Sequence, residues 1–315
     1  MRRVSIIALL VAALWGGANA QSKSDREHDG LRGAVRALKL EAAEFTSKNG
    51  KSVEGARVLL RTVTYDARGN KTRQVVYNHD GSVAQTLVYA SDPQGRSTGY
   101  EEFTGTLSVP RKHVYVLDDK GNRIEYSLVQ PDGSAGEKSL YKYDARGNVA
   151  EESLYDHKGG LISRNVYAYD DRGRQVSQTR YNADGSLSAT SALSYDAQDN
   201  LIERMRYESD ILTYRVRYVY DRRMRVIAQE TVGSVVESDV PHSEAHAPGR
   251  VVYTYKGGEQ PRELNIYAPD GSIRERVVIE YDARGNWIRK THLAESGKRG
   301  RWEARRVVRQ TITYF

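Results

Sequence analysis

Several residue groups in this 315-residue chain have the types that chemistry needs. His242, Glu244 and His246 together offer three metal-ligating side chains. On a helix, two histidines four apart share one face. Pro241 and Pro248 flank this stretch, however, and a helix does not fit between them. The zinc-protease pattern also puts Glu directly after the first His, and Ser243 stands there. The stretch therefore reads as a polar surface loop. Asp66, Asp80, Asp132, Asp144, Asp170, Asp184, Asp270 and Asp282 each precede a Gly within a few residues. Calcium loops gather several carboxylates in one short segment. Here each segment has one or two, and turn formation accounts for them. No metal and no cofactor is expected.

His79, His113 and His157 are candidate general bases. Each lies in or near a turn, and the sequence forces no serine or carboxylate beside it. Glu101-Glu102 and Glu151-Glu152 are neighbours in the chain, so on a strand the two members of each pair face opposite sides. They cannot flank one glycosidic bond as a pair. The expectation is a protein without a catalytic site. Binding has a better basis in Trp287, Arg289, Trp302, Arg305 and Arg306, since flat rings beside cationic donors suit sugars. The competing reading has both tryptophans plugging the end of a sheet core.

What positions these groups is a repeat. YDARGN occurs at 65–70, 143–148 and 281–286, with weaker copies YDDRGR at Tyr169 and YDAQDN at Tyr195. A second phrase alternates with it, ending Asp-Gly-Ser at Ser82, Ser134, Ser186 and Ser272. Turn glycines fall alternately 12 and 14 residues apart, as at Gly69, Gly81 and Gly95, so the unit has 26 residues, two strands and two turns. Asp opens each YD turn and Gly supplies the positive φ that closes it. Between turns, residues alternate: Ile273, Val277, Ile279 and Tyr281 face one way, Arg274, Arg276 and Glu280 the other. This predicts an all-β antiparallel meander of about twenty strands. At about 4.8 Å per strand, such a sheet would be ~90–100 Å long and would coil or partly close.

The regularity breaks near Gly105 or Pro110, and at a loop insertion over 238–250. Residues 21–33 read as a flexible tail. Leu31, Val35, Leu38, Ala42 and Phe45 fit helical spacing, but Lys48-Asn49-Gly50 is a hairpin signal and favours a strand. A capping hairpin is thus expected over 34–64, the repeat sheet over 65–290, and capping strands over 291–315.

Residues 1–20 read as a signal peptide: Arg2 and Arg3, an apolar run Val4 to Trp15, and the small-x-small site Ala18-Asn19-Ala20. Periplasmic or extracellular placement follows, with no other stretch apolar enough to be a transmembrane segment. The chain has no Cys, which excludes disulfides and thiolate chemistry. Net charge is +7, falling to +5 once the two signal arginines are gone. Charges are interleaved, and no nucleic-acid recognition motif appears. Tyr (22) far outnumbers Phe (3), which suits a half-wet sheet rather than a thick dry core.

Tyr-Asp-x-x-Gly-Asn at this period resembles the YD repeats of bacterial RHS proteins, over about residues 60–290. The resemblance implies hairpins in a long coiling sheet. Large members wrap that sheet into a shell around a C-terminal toxin, and carbohydrate binding has been proposed for some. This chain is too short for a full shell and shows no toxin tail. It looks more like the short exported YD-repeat proteins. The functional expectation is a non-catalytic binding module for glycan or cell-wall polysaccharide. The alternatives are a protein-interaction scaffold of the envelope, and a glycoside hydrolase with acids from separate strands.

Overall fold

A computed structural model describes residues 24–48, 51–105, 108–233, 248–296 and 300–315. The signal-like residues 1–20 and the His242/Glu244/His246 stretch lie outside them. A four-residue helix, α1 (Asp25–His28), precedes the strands. These are β1 (Val35–Lys48), β2 (Lys51–Glu54), β3 (Val58–Tyr65), β4 (Lys71–Tyr77), β5 (Val83–Ser91), β6 (Ser97–Thr104) and β7 (Arg111–Leu117). Next come β8 (Arg123–Val129), β9 (Ala135–Tyr143), β10 (Val149–Tyr155), β11 (Leu161–Tyr169), β12 (Gln175–Asn182), β13 (Leu187–Tyr195) and β14 (Leu201–Glu208). The series ends with β15 (Ile211–Tyr220), β16 (Val226–Gly233), β17 (Gly249–Tyr255), β18 (Pro261–Tyr267), β19 (Ile273–Tyr281), β20 (Trp287–Glu295) and β21 (Trp302–Tyr314). Gly249 and Arg250, expected in a loop, thus begin β17.

From β3 to β21 each strand pairs antiparallel with the next, as the turn spacing predicts. The sheet coils as expected, and its ends go further than partial closure. β1 pairs with β3 on one side and with β21 on the other, Leu38 facing both Val63 and Ile312. The meander therefore closes into a barrel of twenty strands, with β2 as a short flap paired only to β1. Barrels of 16–18 strands already leave an aqueous channel, so twenty enclose more space than side chains fill. In β14 every residue from Leu201 to Tyr207 is only half-buried, which fits a sheet wetted on both faces.

The two rims use two turn chemistries. At the YD rim the first turn Asp clamps the fifth residue. Asp144 accepts from Asn148 N at 2.8 Å and from Asn148 Nδ2 at 3.0 Å. At the other rim, in the Asp-Gly-Ser turns, the third residue clamps the fifth, Asp132 accepting from Ser134 N at 2.9 Å and from its hydroxyl at 2.6 Å, while Asp156 keeps the first-residue clamp on Gly160 N at 2.8 Å. The turn carboxylates are thus consumed locally. The YD tyrosine has a further role. Tyr143, Tyr169, Tyr195 and Tyr281 each donate to the carbonyl of the first residue leaving the previous YD turn: Arg123, Val149, Gln175 and Pro261, at 2.8–2.9 Å. The turn arginine reaches the other way, Arg146 to the carbonyls of Asp170 and Asp171 at 3.2 and 3.1 Å. Turns are thereby linked around the rim.

Residues 24–34 occupy the gap in this ring and are not a free tail. Ser24 caps α1 in a capping box. Arg26 N donates to Gly69 O at 2.9 Å, Lys71 pairs with Asp29 at 2.9 Å, and the Tyr65 hydroxyl donates to Asp29. On the far side Arg32 N donates to Asn286 Oδ1 at 2.6 Å, and Asn286 Nδ2 returns a bond to Arg32 O at 2.9 Å. Leu31 packs with Val35, Leu38, Val63 and Tyr65. The composition looked disordered because the partners of this segment are remote in sequence.

Non-glycine residues stand at positive φ at Asp199 (68°), in the 209–210 turn and at Met224 (60°); Asp199 and Met224 hold positions that glycine takes in the other YD-rim turns. That conformation costs an L-residue about 1–2 kcal/mol. Asp199 offsets the cost by receiving Arg172 and Arg174, both at 2.7 Å, whereas exposed Met224 has one weak sulfur contact, from Asn200 at 3.3 Å. Met224→Gly is expected to stabilise by about 0.5–1 kcal/mol after glycine's own entropy cost. Asp199→Gly should gain less or lose stability. Denaturant midpoints of the two variants check this, and equal gains would contradict it.

Candidate functional site

Alternation divides the barrel side chains into two faces. One carries the YD tyrosines, and it is the inner one. Tyr65, Tyr89 and Tyr115 stand on β3, β5 and β7, and all three hydroxyls are pushed up, mainly by burial. Asp25 acts on all three and Asp29 on the first two. Along a flat sheet β3 and β7 would be about 19 Å apart. The sheet must curve toward this face to bring both near α1.

The outer face carries cross-strand ion pairs: Lys112–Glu101, Lys142–Glu151, Arg217–Glu203 and Arg289–Glu280, at 3.5, 2.8, 2.7 and 3.1 Å. Exposed valines such as Val114, Val116 and Val219 lie among them. No helix among the described residues is long and apolar enough to cross a membrane.

The densest polar constellation lies on the inner face of β5 to β8. The His113 ring stacks on Tyr100 with centroids 4.0 Å apart. Its Nδ1 is 3.0 Å from the Tyr126 hydroxyl and its Nε2 is 3.2 Å from Glu102 Oε2. Gln85 Nε2 donates to the other Glu102 oxygen at 2.6 Å. Tyr89 and Tyr115 flank Tyr100, and the Arg123 guanidinium sits 3.6 Å over the Tyr115 ring. Register assembles the group: Tyr100 faces His113, and Tyr115 faces Tyr126. The hydrogen bond from His113 is the main reason the Glu102 carboxyl lies below the usual range; burial opposes it. Burial pushes the Tyr126 hydroxyl up to about 12. A second group repeats the theme on β10 and β11. Glu152 accepts from the Tyr167 hydroxyl at 3.2 Å and from Asn165 Nδ2 at 3.3 Å.

Glu101 and Glu102 do face opposite sides, as do Glu151 and Glu152. What the sequence did not offer is a carboxylate beside His113. The irregular 105–110 turn hid the register that supplies it. His79 stays in the exposed 78–82 turn, and His157 stands in the 156–160 turn at a shallow rim cleft with Arg111, Gln130 and Glu137. Glu102 and Glu152 are four strands apart, about 19 Å along the sheet, against the roughly 5–9.5 Å of a glycosidase pair. Among the described residues no group of three or more His, Asp or Glu could hold a metal.

The five residues singled out for binding do not converge. Trp287 begins β20 at the YD rim and packs against Leu264, Val277 and Ile279. Trp302 begins β21 at the other rim, under the Arg276 guanidinium at 4.6 Å. A nine-residue strand separates the rims, about 30 Å. Arg289 is tied to Glu280 at 3.1 Å. Arg306 approaches Glu44 at 3.7 Å, and Arg305 stands 4.0 Å from Glu303.

No family model and no curated protein matches the chain. Solved structures give distant likenesses. A porin-like protein from Bacteroides uniformis is 14% identical with a TM-score of 0.38, over 87% of this chain and 97% of that one. The Photorhabdus luminescens Tc holotoxin pore gives 13% and 0.30, over 78% of this chain and 16% of that one. A TcdB2-TccC3 complex gives 11% and 0.32, over 84% and 18%. These values are too low to carry an argument.

Replacing His113 by Phe should leave Glu102 with Gln85 alone. The Glu102 carboxyl is then expected to titrate closer to the ordinary range near 4.3, which carboxyl-carbon NMR can follow. The variant should lose about 1–3 kcal/mol. An unmoved Glu102 titration would contradict the assigned contact.

Proposed function

We propose that the chain is an exported, non-catalytic binding module whose inner barrel face takes a glycan or cell-wall polysaccharide. One observation carries the reading: the concave face is lined, strand after strand, by phenol, amide, carboxylate and guanidinium groups. Polyhydroxylated chains need that density of donors and acceptors. The stacked pairs cover each other's ring faces, as in Tyr100–His113 and Arg123–Tyr115. Recognition would then use ring edges and hydroxyls rather than a ring laid flat on a sugar, and would not need Trp287 or Trp302. The signal-like residues 1–20 support export.

A protein-interaction scaffold could dock its partner on the concave face or, by strand addition, on a free sheet edge. Among the described residues the barrel strands leave no free edge, and β2 offers only its four residues. Residues 21–315 should be tested on a glycan panel that includes peptidoglycan and lipopolysaccharide. Saturable binding is expected to weaken about tenfold or more in a Tyr126→Phe/Gln85→Leu double variant through lost hydrogen bonds, and to survive in Trp302→Ala. Loss in Trp302→Ala alone would move the site to the outer face. No specific binding would overturn the reading.

A further inference from the structure

Three arginines gather on the inner face of β12 and β14, and two of them, Arg180 and Arg204, have no paired acid among the described residues. Arg180 stands on β12, and Arg204 and Arg206 on β14. Register places Ala189 beside Arg180, Ser191 beside Arg206 and Leu193 beside Arg204. Arg180 and Arg206 are thus two strands apart, about 10 Å, with Arg204 about 7 Å from Arg206. Ala189 and Ser191 between them are small and buried, so nothing tall divides the three cations.

The carboxylates facing this patch are few. Glu208, at the exposed end of β14, pairs with Arg206 at 3.0 Å. Glu152, on β10, is occupied by Tyr167 and Asn165. Among the described residues neither Arg180 nor Arg204 forms an ion pair. Arg180 reaches only the Ser163 hydroxyl, at 3.4 Å, and the Arg204 guanidinium lies 6.0 Å from the Tyr214 ring centroid. Arg204 Nε is buried without an acceptor, and so is Gln229 Nε2 on β16 of the same face. A guanidinium presents a planar fork of donors matched to a carboxylate.

We propose that this patch selects acidic saccharide units, whose carboxylates accept from Arg180 and Arg204 while hydroxyls take up neighbouring amide and phenol groups. The proposal rests on the glycan reading above and specifies its ligand class. The patch, about 10 Å across, has the reach of about two sugar rings, and its arginines lie on one face.

The test uses fluorescence anisotropy of labelled oligogalacturonate with residues 21–315 at near-physiological salt, with dextran as the neutral competitor and oligothymidylate as a second polyanion. Saturable oligogalacturonate binding is expected, resistant to dextran, with oligothymidylate binding weaker. Arg180→Gln/Arg204→Gln should weaken it about tenfold or more. Arg180→Lys/Arg204→Lys, which keeps charge and loses the fork, should weaken it less. It also serves if the glutamine pair does not fold. Arg215→Gln/Arg217→Gln on the outer face should change nothing. Equal loss from the outer pair, or stronger binding to oligothymidylate, would overturn the patch. Binding of dextran as strong as that of the acid, unmoved by the inner pair, would overturn acid selection and leave the glycan reading standing. No saccharide binding at all would remove both.

Discussion

Everything distinctive about this molecule depends on the pairing of its first strand with its last. An antiparallel meander of this length has two raw edges, each a row of unpaired backbone donors and acceptors. Here β1 and β21 satisfy one another from Val35 and Tyr314 to Glu44 and Arg306. Both ends of the seam are clipped. At the YD rim, residues 24–34 tie the 66–70 turn to the 282–286 turn. At the other, β2 leans on β21 through Arg309 and Glu54 at 2.6 Å, which lowers the Glu54 carboxyl chiefly by that hydrogen bond. Closure turns a ribbon with two faces into a vessel with an inside.

The same constraint explains the division of labour among side chains. Convex positions splay into water and carry ion pairs such as Lys142–Glu151. Concave positions converge, so polar groups there meet one another: Glu102 with His113, Glu152 with Tyr167. Tyrosine suits such a wall, since its ring packs while its hydroxyl finds a carbonyl. Where strand ends carry Ser91 and Leu117 instead, the YD clip to the previous turn is missing. At the seam Asp29 stands in for the missing previous turn and receives Tyr65.

Much of the fold was legible because the glycine spacing fixes turns, and turns fix neighbours. Residues 31–45 were ambiguous, and the Lys48-Asn49-Gly50 signal pointed correctly to the strand β1. Closure was not legible, because periodicity specifies which strands adjoin but not how far the sheet bends. The tail misled because Arg32 and Asn286 are 254 positions apart. Trp287 and Trp302 are close in the chain, yet the strand between them carries them to opposite rims. The His113–Glu102 contact needed the register across an irregular turn. The arginine patch is dispersed over Arg180, Arg204 and Arg206, and only lateral pairing gathers it.

A natural chain without cysteine makes the seam directly testable. Lys39 of β1 and Thr311 of β21 are cross-strand partners. In a Lys39→Cys/Thr311→Cys variant, mild oxidation at low protein concentration should form an intramolecular disulfide in the folded protein, visible as faster migration on non-reducing gels. An open coil would hold these strands at opposite ends of a sheet ~90–100 Å long. Free thiols under those conditions, or cross-links only between molecules, would contradict closure.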